Sequence, residues 1–560
     1  MRRLGYMVIA LFSFTISTSL AAAQDSFKPF GLPLELPPGP STWLMGQPYG
    51  NTVGAYNFGT AWYSAGQGLH FGIDLSMPCG TPLIAVADGE VIYVDNMAFG
   101  AGPHNVILRH ADVNLTTLYG HLRQPPSVSQ FQPVKRGQLV GYSGDPDVTC
   151  DSRPHLHFEV RSLDYGTAYN PIDYIDAPWH VLSAIGSFNQ PSFQQDLTNP
   201  RQWVSVDDQP AVAFGGARLN AYVQSWPPAQ VDRAPVNAPI VRSFEPLPPD
   251  SNFALRPLSY EGCCSVFWWN SGNAERLYAV DGSAGVLAGI FEWDVTVPDV
   301  YNLVADAPPP ILSPDGTHQI LDRSGEVIIR RLGDGVEWPV PTGGAPPSVS
   351  PDNSQLLWQV QYGVDVPGAT PPQVEIWVSN IDGQNARQVM AQPDISARWL
   401  DGDRLLISGS DRTLTTLSTY NTRDASTQTL GTWDRLRGLS IAPGGGRLLF
   451  YRTNQPDPAE DGIYLLDLTN DTQPVKLPWF GGWRWRDADS LYYIPFEPGN
   501  PVQTMAYYHI PTGENRPLTD PLQAPFTVAN GDWSVSPDGN RIAFMNAVDR
   551  RLWLLELLVE

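Results

Sequence analysis

A short turn signature recurs along the C-terminal half of this 560-residue chain, and no other pattern in the sequence limits the possible folds as strongly. Three copies read Ser-Pro-Asp followed by Gly or Asn, and three more are weaker versions of the same turn. The six copies, spaced 37 to 50 residues apart, begin at Ser313, Ser350, Leu400, Ala442, Arg486 and Ser536. Because a four-stranded propeller blade occupies about 40–45 residues, this period predicts a β-propeller.

The residue types in the turn suit a tight hairpin. Proline presets φ at its second position, aspartate caps the turn, and glycine adopts the positive φ that closes it. An apolar strand follows each copy, at residues 319–321, 356–358, 405–407, 448–450, 491–493 and 542–544. Over about residues 265–560 the array resembles the TolB-like propellers, whose blades carry such turns. Residues 268–270 and 276–280 add one more candidate blade, which predicts six or seven blades. The alternative is a chance recurrence of turns in an all-β sandwich.

The end of the repeat array predicts how the propeller ring closes. The last repeat, residues 536–560, has room for only two or three strands after its turn, whereas a blade needs about four. An earlier segment of the chain must therefore complete the last blade, and we expect it around residues 203–214.

The composition favours short strands and turns over long solvated helices. Charged residues make up 16% of the chain, against about 25% in average globular proteins, whereas Gly (50) and Pro (54) are abundant. Short apolar runs alternate with turn residues between 24 and 180, for example at 83–86, 91–94, 106–108 and 138–140. The sequence therefore predicts an all-β protein with a small antiparallel β-sheet domain at 24–180, a Pro-rich linker or wrapping segment at 181–259 and the propeller at 260–560.

The charge and the aromatic content exclude two classes of protein. With 34 Lys and Arg against 57 Asp and Glu, the net charge is −23, so a basic surface for nucleic acid is not expected. The 18 Trp, 22 Tyr and 21 Phe residues must mostly pack in a core, which disfavours a disordered chain.

The N-terminus has the order of residues found in secretory signals. Arg2 and Arg3 precede an uncharged apolar run from 4 to 20, which ends in three alanines and predicts cleavage near Ala23. The alternative is a transmembrane anchor, because about 17 apolar residues are at the lower limit for a span. We expect residues 1–23 to be a signal peptide and the mature protein to be secreted, with no membrane span after cleavage.

Histidine is concentrated in one part of the chain. Six of the nine histidines fall between residues 70 and 157, in an 88-residue window where even spacing would place one or two. These six are His70, His104, His110, His121, His155 and His157. Clustered His together with acidic residues in an exported protein indicates a metal site.

The spacing of these residues suits a small open site. If residues 155–160 form a strand, His155, His157 and Glu159 share one face while the apolar residues between them enter the core. His70 and Asp74 would be about 13 Å apart in an extended chain, so that segment must bend to serve one ion, and Gly68 and Gly72 permit the bend. His70, Asp74 and His157 would then leave one position open for water, as in catalytic zinc sites.

The segment from Gly68 to about residue 175 resembles the lysostaphin/LytM-type zinc endopeptidases that cut peptidoglycan. The resemblance depends on His-x-x-x-Asp at 70–74, Tyr-Gly-His-Leu at 119–122 and His-Leu-His-Phe-Glu at 155–159, in that order and spacing. Weaker matches support it, and they lie at 80–82, 85–89, 140–144 and 170–171. The loop 145–154 departs from the family pattern, because it is longer and more polar and carries Cys150, which puts the substrate preference in doubt.

The resemblance implies a secreted zinc metalloendopeptidase that cleaves peptide bonds of peptidoglycan cross-links or stem peptides. It implies one Zn²⁺ per chain, held by His70, Asp74 and His157. His155 would take the proton of the attacking water, and His121 would hydrogen-bond the developing oxyanion. His104 and His110 match no motif position and are expected to be structural or surface residues, and Glu159 either orients a histidine or is a solvated carboxylate.

A second hypothesis gives the working role to the propeller. In it the peptidase fold is an idle scaffold and the propeller binds a cell-wall component or a protein partner. In the first hypothesis the propeller binds or positions the substrate, or is only a spacer. The sequence identifies neither the bond that is cut nor the ligand of the propeller.

Four cysteines in an exported chain are candidates for disulfides. Cys79 follows Asp74 by five residues and Cys150 precedes His155 by five, so the two would approach each other if both segments converge on one ion. We therefore expect a Cys79–Cys150 bond. The alternative is a bond from Cys150 to Cys263 or Cys264, which are adjacent and could also pair with each other or stay reduced.

Overall fold

The protein is described from a computed structural model. The structure describes residues 27–52, 54–55, 59, 61–185, 194–195, 203–204, 207, 209–220, 244–249, 251–259, 266–270, 273–281, 289–297, 301–305, 311–363, 372–411, 413–469 and 473–558. The predicted signal peptide, Cys263, Cys264 and most of the Pro-rich segment lie outside these ranges. Within them, no helix has both the length and the apolar character needed to cross a membrane.

The N-terminal part of the chain is a compact β domain. Its strands are β1 (Leu44–Gln47), β2 (Ile73–Ser76), β3 (Pro82–Ile84), β4 (Gly89–Val94), β5 (His104–His110), β6 (Leu115–Leu122), β7 (Pro133–Val134), β8 (Leu139–Tyr142), β9 (His155–Ser162), β10 (Thr167–Tyr169), β11 (Gln194–Gln195), β12 (Trp203–Val204) and β13 (Val212–Ala213). Single 3-10 turns lie at Met97–Phe99, Ala111–Val113 and Pro171–Asp173, and a short helix, α1, spans Trp179–Leu182.

One antiparallel sheet organises this domain. Its strand order is β1-β2-β9-β6-β5-β4-β7, with β10 and β13 continuing from β9, while β3 and β8 form a separate pair. The central strand β9 confirms the predicted alternation, because Leu156, Phe158 and Val160 are fully buried in the core while the residues between them face the other side of the sheet. The sheet therefore presents one polar face at its centre.

The C-terminal part is a propeller of seven four-stranded sheets. Blades one to three contain β15 (Val266–Asn270), β16 (Asn273–Asp281), β17 (Gly289–Asp294), β18 (Tyr301–Ala305); β19 (Ile311–Leu312), β20 (His318–Arg323), β21 (Glu326–Arg331), β22 (Glu337–Val340); and β23 (Ser348–Val349), β24 (Gln355–Tyr362), β25 (Gln373–Asn380), β26 (Arg387–Pro393). Blades four to six contain β27 (Ile395–Trp399), β28 (Arg404–Asp411), β29 (Leu414–Asn421), β30 (Thr427–Asp434); β31 (Leu436–Ile441), β32 (Arg447–Arg452), β33 (Gly462–Asp467), β34 (Val475–Lys476); and β35 (Gly481–Trp485), β36 (Ser490–Pro495), β37 (Ala506–His509), β38 (Glu514–Pro517). The predicted all-β fold and the propeller are confirmed, with seven blades, and a 3-10 turn lies at Pro458–Glu460.

The recurring turn connects the first and second strands of a blade. In all three full copies the buried serine accepts a backbone N–H from five residues further on, at 2.9 Å, and its hydroxyl donates to the aspartate of the same turn. The fourth residue, Gly316, Asn353 or Gly539, has φ between 64° and 71°. The turn chemistry read from the sequence is thus the chemistry that forms the repeat.

The seventh blade closes the ring with a strand from before the repeats. It contains β14 (Asn252–Pro257), β39 (Val528–Val535), β40 (Arg541–Asn546) and β41 (Leu552–Leu558), with β14 paired along the edge of β41. An earlier segment of the chain completes the last blade, as predicted. That segment is β14, however, and the prediction of residues 203–214 was wrong. Within them β13 pairs with β10 of the N-terminal sheet, whereas β12 pairs with β11 in a separate two-stranded sheet.

The two parts of the chain are in direct contact. The hydroxyl of Ser183, after α1, donates to the side chain of Asn530 on β39 at 3.1 Å. The backbone N–H of Asn454 in blade five donates to the carbonyl of Pro40 at 3.0 Å, and Phe496 of blade six packs against the core of the N-terminal domain. The N-terminal domain thus lies against loops of several blades.

Candidate metal centre

At the centre of the polar face of the sheet, strand register holds two of the predicted site residues together. Asp74 on β2 lies directly opposite His157 on β9, and Gly120, which precedes His121, lies opposite His157 on the other side. Directly opposed residues on neighbouring strands point to the same face with Cβ atoms about 4.5–5.5 Å apart. Hydrogen bonding of the sheet therefore brings Asp74 and His157 together without any loop rearrangement.

His70 reaches the same point because the chain bends just before β2. Gly68 has φ of +89°, and a Cβ on Gly72 would lie 2.8 Å from the His157 ring and 2.6 Å from the Phe158 carbonyl. A side chain at Gly72 would therefore displace His157. The predicted bend is present, and it places the His70 Nε2 atom 3.2 Å from Asp74 Oδ1.

His70, Asp74 and His157 form a three-atom cluster. The His157 Nδ1 atom lies 2.8 Å from Asp74 Oδ1 and 3.3 Å from His70 Nε2. Ligand atoms around tetrahedral zinc, with bonds near 2.0–2.1 Å, are about 3.3 Å apart. Two imidazole nitrogens and one carboxylate oxygen at these separations suit that ion. Among the described residues, this is the one group of three His, Cys, Asp or Glu side chains whose ligand atoms lie close enough together to hold a metal ion.

Neighbouring acceptors fix the orientation of both histidines in the cluster. The His70 Nδ1 atom is 2.8 Å from the Pro48 carbonyl, which makes it the donor and leaves Nε2 free to face the cluster. The His157 Nε2 atom is 3.2 Å from a Glu159 carboxylate oxygen, so Nδ1 faces the cluster. Ligating histidines usually donate their second N–H to such an acceptor, which sets the tautomer.

Glu159 is itself held in place by a buried arginine. Its side chain is fully buried and accepts a hydrogen bond from the Arg161 guanidinium, which also lies 4.4 Å from the centre of the Phe214 ring. The structure therefore resolves the two alternatives for Glu159: it orients a histidine and is not a solvated carboxylate. Arg161 was missed by the sequence analysis, although its place two residues after Glu159 on the same strand face would have indicated it.

The charges in the cluster shift the pKa values of its members. Burial opposes ionisation of Asp74, but the charges of His70 and His155 and a hydrogen bond from His157 outweigh it and hold the pKa of Asp74 well below its usual value. Burial also opposes protonation of His157, but hydrogen bonds to Asp74 and Glu159 raise its pKa to about 9. Without a metal, the site therefore holds a proton where a cation would bind.

His121 and His155 stand beside the cluster with their ring centres 4.8 Å apart. The His121 Nδ1 atom is 2.5 Å from the Gly102 carbonyl, and the His155 Nδ1 atom is 2.6 Å from the Arg153 carbonyl. Both rings therefore donate through Nδ1 and present Nε2 as an acceptor when neutral. Burial lowers the pKa of each, which favours this neutral form.

The two remaining histidines of the window lie outside the cluster. His104 pairs with Asp95 at 3.0 Å, and buried His110 lies 2.8 Å from the Asp88 carbonyl and 3.0 Å from the Thr117 hydroxyl. Both have the structural or surface positions that were expected for them.

A disulfide bond connects the loop beside the site to the segment after β2. Cys79 and Cys150 are bonded, with Cα atoms 5.8 Å apart, which confirms the predicted pair and excludes a bond from Cys150 to Cys263 or Cys264. Asp145 further orders the loop, because its carboxylate accepts backbone N–H groups from Ser152 at 3.1 Å and Arg153 at 2.8 Å.

Comparison with known proteins gives matches to this part of the chain. Residues 68–171 match the sequence model of Peptidase family M23. Glycyl-glycine endopeptidase ALE-1 of Staphylococcus capitis is 27% identical over 156 residues, which are 28% of this chain and 41% of that protein. Lysostaphin of Staphylococcus simulans is 30% identical over 135 residues, or 24% of this chain and 26% of that protein.

A third relative has a different description. Murein hydrolase activator NlpD of Escherichia coli is 35% identical over 113 residues, which are 20% of this chain and 28% of that protein. The chain thus spans between about a quarter and two fifths of the length of these three relatives.

Proposed function

Since residues 68–171 form a domain of peptidase family M23 joined to a seven-bladed propeller, we propose that the protein is a zinc-dependent endopeptidase that cleaves peptide bonds of peptidoglycan. One observation carries this proposal: the convergence of His70, Asp74 and His157 to within 3.3 Å of one another, beside two histidines whose Nε2 atoms are acceptors. The descriptions of two relatives as a glycyl-glycine endopeptidase and lysostaphin support the choice of substrate class.

We infer that zinc would be held by His70 Nε2, Asp74 Oδ1 and His157 Nδ1, with a fourth position open. The fit depends on three donor atoms with tetrahedral spacing, and on the Pro48 carbonyl and the Glu159 carboxylate that orient the two imidazoles. When bound, zinc supplies the Lewis acidity that activates a water molecule and polarises the scissile carbonyl.

The two neighbouring histidines would move the proton. His155 Nε2 lies 3.8 Å from Asp74 Oδ1 and accepts a proton from the attacking water, while its Nδ1–H remains bonded to the Arg153 carbonyl. His121 Nε2 faces the same space, but its bond to Gly102 leaves that nitrogen without a proton when the ring is neutral. His121 therefore hydrogen-bonds an oxyanion only in its protonated form.

One relative is described as a murein hydrolase activator, which is a reason to consider a second role. In that role the peptidase fold is a scaffold, and the propeller binds a wall component or a protein. The intact set of five site residues favours hydrolysis. We place the protein outside the cytoplasm, with residues 1–23 as a cleaved signal peptide, because the proposed substrate is in the cell wall.

Metal content separates the roles of these residues. Wild-type protein should bind close to one zinc per chain, and His157→Ala should abolish binding, because two protein ligands rarely hold zinc against buffer. His121→Ala and His155→Ala should keep the metal and lose about 10²–10⁴ in turnover. Elemental analysis of the purified variants, with hydrolysis assays beside it, measures both quantities. Equal zinc in wild type and His157→Ala would contradict the ligand assignment, and a metal-free His121→Ala or His155→Ala would contradict that residue's catalytic role.

A further inference from the structure

A segment outside the region that matches the peptidase family packs against the candidate metal centre. It comprises residues 209–220, here called the strap, whereas the family match ends at residue 171. The sequence analysis placed these residues in the Pro-rich linker or wrapping segment. Within the strap, β13 pairs with β10 at the edge of the N-terminal sheet. The strap is therefore attached to the same sheet that carries the site.

The proposed ligand His70 is held by a single backbone bridge to Gly50. The backbone N–H of His70 donates to the Gly50 carbonyl at 3.0 Å, and the N–H of Gly50 donates to the His70 carbonyl at 2.7 Å. This bridge is isolated and belongs to no strand ladder. The position of His70 therefore depends on the contacts that hold the two sides of the bridge together.

Asn220 of the strap provides such contacts to both sides of the bridge. Its side chain is buried, and its amide donates to the Gly68 carbonyl at 2.7 Å, to the Ala55 carbonyl at 3.2 Å and to the Asn51 side-chain oxygen at 3.1 Å. Gly68 precedes His70 by two positions, and Asn51 directly follows the partner of His70 in the bridge. A Cβ on Gly68 would lie 2.0 Å from the Asn220 side-chain oxygen, so the close approach of the strap requires glycine there.

Other residues of the strap bind the same bend. The Gln209 side-chain oxygen accepts the backbone N–H of Asn51 at 3.0 Å. The backbone N–H of Leu219 donates to the Gln67 carbonyl at 2.8 Å, and the Gln67 side chain donates to the Ala213 carbonyl. The strap is thus bonded to both arms of the bend by side chains and by backbone.

The strap also supports the second histidine of the cluster. The Phe214 ring centre is 5.4 Å from that of Phe71, which is 5.5 Å from the centre of the His157 ring. The Phe214 ring also lies 4.4 Å from the Arg161 guanidinium that holds Glu159. One segment therefore packs behind the supports of both imidazole ligands.

We propose that the strap is part of the metal centre and that Asn220 is the positioning residue for His70. Asn220 binds no metal itself, because its amide is bonded to the two sides of the bridge. Zinc affinity would then depend on a residue that lies outside the matched peptidase region. The proposal rests on the zinc ligands assigned under the proposed function, and it does not depend on hydrolysis.

The first test compares two variants of Asn220 in the full-length protein. Asn220→Ala removes the side-chain amide, and Asn220→Asp keeps its shape but loses the N–H groups that are donated to the Gly68 and Ala55 carbonyls. Competition with a chromogenic chelator should show zinc affinity about 10–100-fold weaker in both variants, as is typical when a partner that orients a metal ligand is lost. Wild-type zinc affinity in both variants would overturn the proposal.

Asn105→Ala is the matched control. Asn105 is also a fully buried amide of the N-terminal domain, and it donates to the carbonyls of Asn96 and Gly100 at 3.1 Å and 2.8 Å. These carbonyls lie in the loop between β4 and β5, which contributes no proposed ligand. Loss of this amide should lower the melting temperature and leave the zinc affinity unchanged. Zinc affinity reduced as much as in Asn220→Ala would assign the effect to general destabilisation and overturn the proposal.

Hydrogen exchange of the metal-free protein tests the strap separately from the proposed function. If wild type binds no zinc, the ligand assignment fails, and exchange still measures whether Asn220 holds the bend. In Asn220→Ala the backbone amides of Gly50 and His70, which are bonded across the bridge, should exchange faster than in wild type. The amides of β32 in blade five should keep their wild-type rates. Unchanged exchange at the bridge, or equally accelerated exchange in β32, would overturn the proposal.

Discussion

At the scale of single residues, the candidate centre depends on side chains that bind no metal themselves. Glu159 is fully buried between His157 and Arg161, and it fixes the ring of His157 with Nδ1 toward Asp74. We expect Glu159→Gln to weaken zinc binding about 10–100-fold, because the neutral amide holds the imidazole less firmly and lowers its basicity. Competition with a chromogenic chelator measures the affinity. Glu90→Gln, which removes an exposed carboxylate that pairs with Arg109, is the control, and equal affinity in both variants would contradict the role of Glu159.

The proton held by His157 predicts how the metal-free protein responds to pH. The folded-state pKa of His157 is raised to about 9, above about 6.5 for an unfolded histidine. Its protonation therefore stabilises the metal-free fold fully below pH 6.5, and this contribution is lost as the pH rises through 9. Zinc affinity should rise over the same interval, since the ligand must lose its proton. Thermal melting of chelator-treated protein between pH 6.5 and 9 measures the loss, and a fall equally steep in His157→Gln would assign it to another group.

At the scale of elements, the disulfide is the main constraint on the loop before β9. The Cys79–Cys150 bond joins residues 71 apart, and in the chain-entropy model it stabilises the fold by about 4 kcal/mol, less any strain. The Cys79→Ala/Cys150→Ala double variant should therefore melt at a lower temperature than wild type. Reductant should lower the melting temperature of wild type by more than that of the double variant. Equal melting temperatures of the two oxidised proteins would contradict a stabilising bond.

The elements also show what local sequence can and cannot predict. The turns at Ser313, Ser350 and Ser536 were predictable because each depends on residues within five positions of one another. The closing strand was not, because β14 pairs with β41 about 300 residues later, and many short apolar segments could fill that position. In the same way, the candidate ligands His70, Asp74 and His157 were predictable from motif spacing. The hydrogen bond from His70 to the Pro48 carbonyl was not, because a backbone carbonyl is present in every residue type.

At the scale of the whole molecule, the propeller and the N-terminal domain are in direct contact through several blades. Phe496 packs into the core of the N-terminal domain, and Asn530 and Asn454 bond to its backbone or side chains. The disulfide-bonded loop faces blade four across an open cavity lined by Asp151, Asp411, Thr413 and Leu414. The propeller therefore lies beside the loop that precedes His155 and His157.

The most direct test of zinc-dependent peptidoglycan hydrolysis is mass spectrometry of purified peptidoglycan after incubation with the full protein, with and without a chelator. We predict new peptide termini from cleaved cross-links or stem peptides in the zinc-loaded sample. These products should disappear with the chelator and return when zinc is added back. The same products should be absent with His155→Ala, which keeps its metal. Identical fragments with and without chelator, or none with zinc-loaded wild-type protein, would contradict the account.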